Sequence, residues 1–406
     1  MSLPGILQNP EFRDYLGSTS FSGIAFAMQQ LLLSWILIGI LELPASQVGI
    51  IQAACGIPGI FLMLLGGARA DGRDTRAMLM QIYALAPILP IFLIVIINFE
   101  LLSIWSVMVW GLGMSVVVAY SSPAQQAILS GIVGNNVQKA VSATTAIGFL
   151  VQMLGLSVAG TMDELGLIPV LTFQAFCVGF GALAVRRLKP QPVNQITNSA
   201  PAWKIIAAGL QAVYDNKVIY HALIINFTSS IFNAGAFMTV FPFIIKRIYA
   251  GDAFLLSMMM IIFYGSAAFS NFIMIRLMPL LRPGRIFLLM QLSRMVILGV
   301  MWIQPSFWLM VLATIGWGLN MGITMTLSRS IVQESATAEF RARILSVYSL
   351  GLLGSAPIGA LMLGLIIERF GTLNGLIPAM MISVALFVYG VFFTGVYNYR
   401  SPSAVN

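Results

Sequence analysis

Charge is what this chain has least of. Of its 406 residues only 8% are Asp, Glu, Lys or Arg, while 59% are hydrophobic. A soluble domain carries about 25% charged residues, and the mean hydropathy here is +0.93. A water-soluble fold is therefore excluded. Histidine occurs once, as His221, and cysteine twice. Cys55 and Cys177 both lie inside apolar runs, where a thiol behaves as a small hydrophobe, and they show no metal-ligand spacing. With one histidine, no glycine-rich phosphate loop and no nucleophile elbow, no hydrolase, ATPase or metalloenzyme site can be assembled. Neither enzymatic activity nor a cofactor is expected.

The net charge of +8 would suggest nucleic acid in a soluble protein. Here the basic residues sit in short loops between apolar runs, so they read as membrane-orientation signals and no nucleic-acid partner is expected. Twelve runs have the roughly 20 residues needed to cross the hydrocarbon core. They lie near 15–40, 46–68, 77–97, 102–125, 140–160, 168–187, 217–244, 253–276, 285–304, 306–328, 343–367 and 373–397. The ten-residue alternation of a membrane β-barrel is missing. With both termini cytoplasmic, the basic residues fall on the cytoplasmic side except Lys246, Arg247 and Arg369 outside and Arg294 within a span. One span more or fewer near the start would invert most of them, so the charge pattern supports twelve. The stretch Met1 to Asp14 has mixed charges and no cleavable-signal pattern, so span one is expected to be retained.

One long polar interval interrupts the series, 188–216. It opens with Pro190, Pro192, Asn194 and Asn198 and continues as Pro201-Ala202-Trp203-Lys204-Ile205-Ile206, which reads as an amphipathic surface helix. The expected organisation is a six-helix bundle over 1–187, a cytoplasmic linker over 188–216 and a second six-helix bundle over 217–406. Asn271 and Arg276 stand where Asp71 and Arg76 stand 200 residues earlier, as a tandem repeat would require.

Within the spans, polar side chains are costly unless they avoid lipid. Span seven carries Asn226, Ser229, Ser230 and Asn233 at i, i+3, i+4 and i+7, one stripe on an apolar helix. Span ten offers Trp317, Asn320 and Thr324; span one Gln30 and Ser34, beside Gln29 and Trp35; span five Gln152; span eleven Tyr348. Such groups either line a cavity or glue helices together. Arg294, in the middle of span nine, must be paired or reach an interface. Structural partners such as backbone carbonyls are the expectation for it, with binding of an anionic substrate group as the alternative. His221 lies at the start of span seven, where an imidazole is either simply solvated or pH-responsive.

The densest charge in the first half is Leu65-Gly66-Gly67-Ala68-Arg69-Ala70-Asp71-Gly72-Arg73-Asp74-Thr75-Arg76. It resembles the loop joining spans two and three in the major facilitator superfamily of secondary transporters, where a glycine is followed four residues later by aspartate and then by basic residues. Gly67, Asp71, Arg73 and Arg76 match, with Arg69 standing where the family usually has an apolar residue. The stretches Ser122 to Leu129, Ile331 to Ser335, Arg341 to Tyr348 and Gly354 to Gly359 look like the exporter branch that contains macrolide efflux proteins and the enterobactin exporter. The drug-antiporter proline of span five is missing from Gly155 to Gly160, although span eleven has Pro357.

The resemblance implies an all-α integral membrane protein, with twelve transmembrane helices in two six-helix pseudo-repeat bundles. It implies a monomeric inner-membrane exporter of a small amphipathic organic molecule (a drug, siderophore or metabolite) by alternating access, coupled to protons. Importer or proton symporter, and a non-transporting sensor or assembly protein, are the alternatives. It also implies a conformational gate at Gly67, Asp71, Arg73 and Arg76. Spans one, four, seven and ten of the family line the cavity, which would place Gln29, Gln30, Ser34, Trp35, Asn226, Ser230, Asn233, Trp317 and Asn320 there, joined by Gln152 and Tyr348. All thirteen acidic residues fall in loops or near span ends. A neutral, amphipathic or anionic substrate is therefore expected rather than a small cation, with Asp14, Asp71 and Glu334 left as candidates for proton coupling.

Overall fold

The structure, a computed structural model, describes residues 8–71, 74–133, 137–189, 202–337 and 340–402. The side chains of 64–71, 130, 133, 137–139, 141, 142, 202–206, 275, 341 and 342 lie outside the description. Helix dominates throughout, and no strand occurs among the described residues. Among the described residues, twelve helices are long and apolar enough to cross a membrane: Pro10–Ile40, Ala45–Met63, Thr75–Asn98, Ile104–Leu129, Ala143–Leu165, Leu167–Arg186, Lys217–Arg247, Ala253–Met274, Pro283–Trp302, Phe307–Ser335, Arg343–Phe370 and Leu373–Phe392. Within the polar interval, the chain is helical over Ala202–Asp215.

Local chemistry sets the helix starts. The side chains of Asn9, Asp74 and Asn216 accept the backbone N–H groups of Glu11, Arg76 and Ile219, at 3.0, 3.0 and 3.2 Å. Each satisfies one of the donors a helix leaves unbonded in its first turn. Between spans five and six, and again between eleven and twelve, the chain reverses through a glycine at positive φ: Gly166 at +88° and Gly371 at +93°. A side chain would be strained at either.

Two spans contain a π-helical turn among the described residues. Span one turns π-helical over Ile36–Ile40, and span seven does so over Ala236–Val240, 200 residues later. A π turn accommodates an extra residue and changes which side chains face the same neighbour. No sequence signal marked either one.

The chain forms two compact units. The first comprises Met1–Glu42, Ala54–Ser199 and Asp252–Ile261; the second comprises Leu43–Ala53, Ala200–Gly251 and Ile262–Asn406. In the first unit, the beginning of span eight docks on the end of span five. The Ala253 N–H donates to Asp163 Oδ2 at 2.7 Å and the Ser257 hydroxyl to the Leu156 carbonyl at 2.8 Å. In the second unit, the beginning of span two is held in the corresponding way, with the Ala45 N–H on Glu368 Oε2 at 3.0 Å.

Each unit has its own apolar core. Phe12, Tyr15, Leu79, Tyr83 and Val178 anchor the first; Phe287, Leu288, Leu327, Ile331 and Leu386 anchor the second. Large apolar side chains also cover the exterior, among them Trp105, Trp308 and Phe392, as expected where the solvent is lipid.

Candidate functional site

In the first unit the adjacent glutamines of span one part company, because neighbouring residues on a helix point about 100° apart. Gln30 Oε1 accepts from Gln152 Nε2 of span five at 3.0 Å. Gln29 Oε1 accepts instead from Gln174 Nε2 of span six at 3.1 Å, and that same amide donates to the Ala25 carbonyl at 3.0 Å. Ser34 and Trp35 are buried. The Trp35 indole N–H donates to Asp163 Oδ1 at 3.1 Å, so this one carboxylate holds both span one and the first turn of span eight. A second polar knot joins spans one, three and four: Tyr83 O–H donates to Ser22 Oγ at 3.1 Å, and Gln125 Nε2 donates to both oxygens.

In the second unit the span-seven stripe is divided among its neighbours. Asn233 Oδ1 accepts from the Trp317 indole N–H of span ten at 2.8 Å. That indole stands edge-on to Phe237, Phe241 and Phe263, with ring centroids 5.4–5.8 Å away. Ser229 turns the other way, donating to Gln291 Oε1 of span nine at 3.0 Å. Asn226 is buried and Ser230 half-buried. Tyr348 shares a 2.9 Å hydrogen bond with Ser328, and His221 Nδ1 shares one of 2.8 Å with Tyr389.

Arg294 is the centre of the second unit's polar interior. It is 3% exposed. Its Nε and Nη2 reach Asn320 Oδ1 at 3.1 and 2.8 Å, Nη2 also reaches Thr324 Oγ1 at 3.3 Å, and Nη1 reaches Gln291 Oε1 at 3.1 Å together with Ser229 Oγ. Asn320 is fixed in turn by its own amide, which donates to the Met290 carbonyl and Ser293 Oγ, both at 2.7 Å. The structural partners expected for this arginine exist, but they are side-chain oxygens of spans seven, nine and ten rather than backbone carbonyls. None carries a negative charge.

Of the motif in the loop between spans two and three, Gly67 and Asp71 are described as helical backbone only, and Arg73 lies outside the described residues. Arg76 is placed: its Nη2 donates to the Arg186 carbonyl at 2.7 Å, on one of the acceptors left unbonded at the end of span six. Asp14 is half-buried in the second turn of span one. Glu334 accepts from Ser330 Oγ and from the Tyr399 hydroxyl, each at 3.2 Å. Burial holds the Tyr399 phenol above its ordinary value, which keeps it a donor.

Sequence reasoning missed Gln174 and Gln291, whose side chains complete the pairings of Gln29 and Arg294. It also missed Asp163, the shared acceptor of spans one and eight. A buried amide in an otherwise apolar span was the available signal for the first two.

The profile of a family described as transmembrane secretion effector matches residues 5–400. The chain belongs to that family. It is a transporter of the major facilitator type. No curated protein sequence matches the chain. Among solved structures, a nucleoside transporter is similar at 14% identity and a TM-score of 0.73, covering 96% of this chain and 100% of that one. A D-xylose–proton symporter is similar at 11% identity and 0.74, covering 95% and 98%. A peptide-transporter-family protein in complex with 5-aminolevulinic acid is similar at 12% and 0.74, covering 98% and 100%. These likenesses show the fold, an all-helical arrangement with twelve candidate spans among the described residues.

Proposed function

We propose that the protein is a secondary active exporter of the bacterial inner membrane, with both termini cytoplasmic and with two six-span bundles joined by the 188–216 linker. It takes up a small amphipathic organic molecule (a drug, siderophore or metabolite) from the cytoplasmic leaflet or cytosol and releases it outside by alternating access. The observation that carries this reading is the interior of span seven. Asn226, Ser230 and Asn233 lie on an otherwise apolar helix within a family described as a secretion effector, and no acidic residue occupies the middle of a span to select a cation. The half-buried Asn233 and the buried Trp317 bring polar and aromatic character together in this interior, as a molecule with both characters would require. Gln29, Gln30, Ser34, Trp35 and Gln152 are the contribution of the first six spans, and Asn320 and Tyr348 complete that of the last six.

The same reading assigns Gly67, Asp71, Arg73 and Arg76 to a gate whose charge contacts change as the protein opens to alternate faces. Asp14, Asp71 and Glu334 are the carboxylates left to carry coupling protons. The protein acts as a monomer, and lipids are its only other partners.

The test is a deletion strain profiled for accumulated metabolites and antibiotic sensitivity, followed by transport in everted and right-side-out vesicles. Substrate should enter everted vesicles, and Asn226→Leu with Asn233→Leu should abolish entry while leaving the amount of folded protein unchanged. Uptake confined to right-side-out vesicles would make it an importer. Full export by the double variant would remove the span-seven stripe from the substrate path.

A further inference from the structure

The polar interior around Arg294 has too many donors and no negative charge. Gln291 is fully buried and its Oε1 is already shared by Ser229 and Arg294, yet its Nε2 has no hydrogen-bond partner. Asn226, one turn before Ser229 on span seven, is likewise buried, with its amide beside the Tyr348 hydroxyl of span eleven. The acceptors present are crowded: Asn320 Oδ1 takes two bonds from the guanidinium and also lies 3.4 Å from Thr324 Oγ1. No acidic side chain pairs with the cation among the described residues.

A buried amide that lacks a partner loses the hydrogen bonds it had in water. A buried cation without a counter-charge is costlier still. If Arg294 only stapled three helices together, neutral donors would serve without that cost. What the cluster lacks is a group that accepts hydrogen bonds, donates none and carries negative charge. A carboxylate or similar oxyanion meets all three conditions.

We propose that Arg294, with Gln291 Nε2, recognises the anionic end of the transported molecule, so that the substrate class is a small amphipathic organic acid. This rests on the exporter reading above and narrows it. Asn320 and Thr324 then act as positioning residues that hold the guanidinium within the second unit. The apolar part of the acid extends toward the aromatic cluster of Phe237, Phe263 and Trp317 on spans seven, eight and ten.

The experiment uses the purified full chain in detergent. Melting is followed with a thiol-reactive fluorophore that reaches the buried Cys55 and Cys177 only on unfolding. The probes are benzoate and naphthalene-2-carboxylate, each compared with its amide, which has nearly the same shape and no charge. The acids should raise the midpoint of the wild-type protein by several degrees and the amides should leave it unchanged. Arg294→Gln should abolish the response.

Gln291→Glu keeps a side chain of the same size and supplies an internal anion. It should raise the midpoint without any probe and abolish the response to the acids. It reports even if Arg294→Gln fails to fold. Equal effects of acid and amide, a normal acid response in Arg294→Gln, or a lower midpoint in Gln291→Glu would each overturn the proposal. Transport of naphthalene-2-carboxylate into everted vesicles separates the two readings. Binding without transport would leave the anion site standing and defeat the exporter. Export of other molecules that is indifferent to Arg294→Gln would do the reverse.

Discussion

Replacing Gly359 by alanine should force spans seven and eleven apart. The methyl carbon would sit 1.9 Å from the Ile231 carbonyl oxygen and 2.8 Å from Gly235 Cα. Carbon and oxygen meet comfortably at about 3.3–3.6 Å, so the two backbones must separate by more than about 1 Å. No side-chain rotamer can absorb this, because the clashing atoms are backbone on both sides. Inserting one methyl group into a tight interior costs about 1–3 kcal/mol. A gap of 0.5–1 Å also forfeits roughly a quarter to a half of the dispersion attraction across the contact. The expected destabilisation is therefore about 3 kcal/mol, the upper end of that range. For a chain of this size, with an unfolding entropy of about 2.1 cal/mol/K per residue, that corresponds to a fall in the melting midpoint of roughly 3–4 °C.

The thiol-exposure melt measures it directly. Gly148→Ala is the control, since a Cβ there meets nothing within 4 Å, and removing a mid-helix glycine should be neutral or stabilising by up to about 1 kcal/mol. Gly235→Ala should match Gly359→Ala, and the double variant should cost less than the sum, because the first substitution already opens the gap that the second needs. A Gly359→Ala protein melting within a degree of wild type would refute the reasoning, as would a fall of the same size in Gly148→Ala.

Two further perturbations follow from the hydrogen bonds. Asp163→Ala removes the acceptor of both the Trp35 indole and the Ala253 N–H; because Asp163 is exposed at its rim, the loss should be about 1–2 kcal/mol, near that of an ordinary helix cap, and Asp163→Asn should recover part of it in the same melt. Gln174→Leu strands the amide oxygen of Gln29 inside the first unit and should destabilise by about 1–3 kcal/mol, whereas Gln29→Leu with Gln174→Leu should recover much of that loss; a double variant as unstable as the sum of the two singles would show that the pair is not coupled.

The positions of the twelve spans were legible because each requires a continuous apolar run, and such runs are conspicuous at 8% charge. Their ends were less so. Span ten continues to Ser335 rather than 328, because a helix outlasts the hydrocarbon wherever its polar residues can bond one another, as Ser330 and Glu334 do. The π turns at Ile36–Ile40 and Ala236–Val240 had no signal, since the residues in them are ordinary apolar helix formers. For the candidate site, the sequence identified which residues were polar but not which neighbour each would meet. Gln29 and Gln30 looked alike and bind different spans. Gln291 lies in a largely apolar stretch of span nine and belongs to no long polar stripe, yet its amide oxygen is shared by Ser229 of span seven and Arg294.

The tandem repeat is faint in the letters and clear in the geometry, and the reason is physical. What recurs is a requirement rather than a residue. The turn after span five and the turn after span eleven both need positive φ, and glycine alone meets that cheaply: Gly166 and Gly371. Where helices must touch closely, the need is only for something small. Gly160 meets Ser257 in the first unit and Gly364 meets Gly49 in the second. The N-terminal turn beside each contact needs an anion to accept its free N–H, and either acid serves: Asp163 for Ala253 and Glu368 for Ala45. Glycine for serine and aspartate for glutamate erase the match between the halves while leaving its mechanics intact. Among the described residues, the buried guanidinium of span nine has no charged counterpart in the first unit. The equivalent interior of the first unit is closed by neutral amides and hydroxyls, Gln29 with Gln174 and Gln125 with Tyr83 and Ser22. An asymmetry kept inside an otherwise repeated frame is where selectivity for one kind of molecule has to be sought, and that is what singles out Arg294.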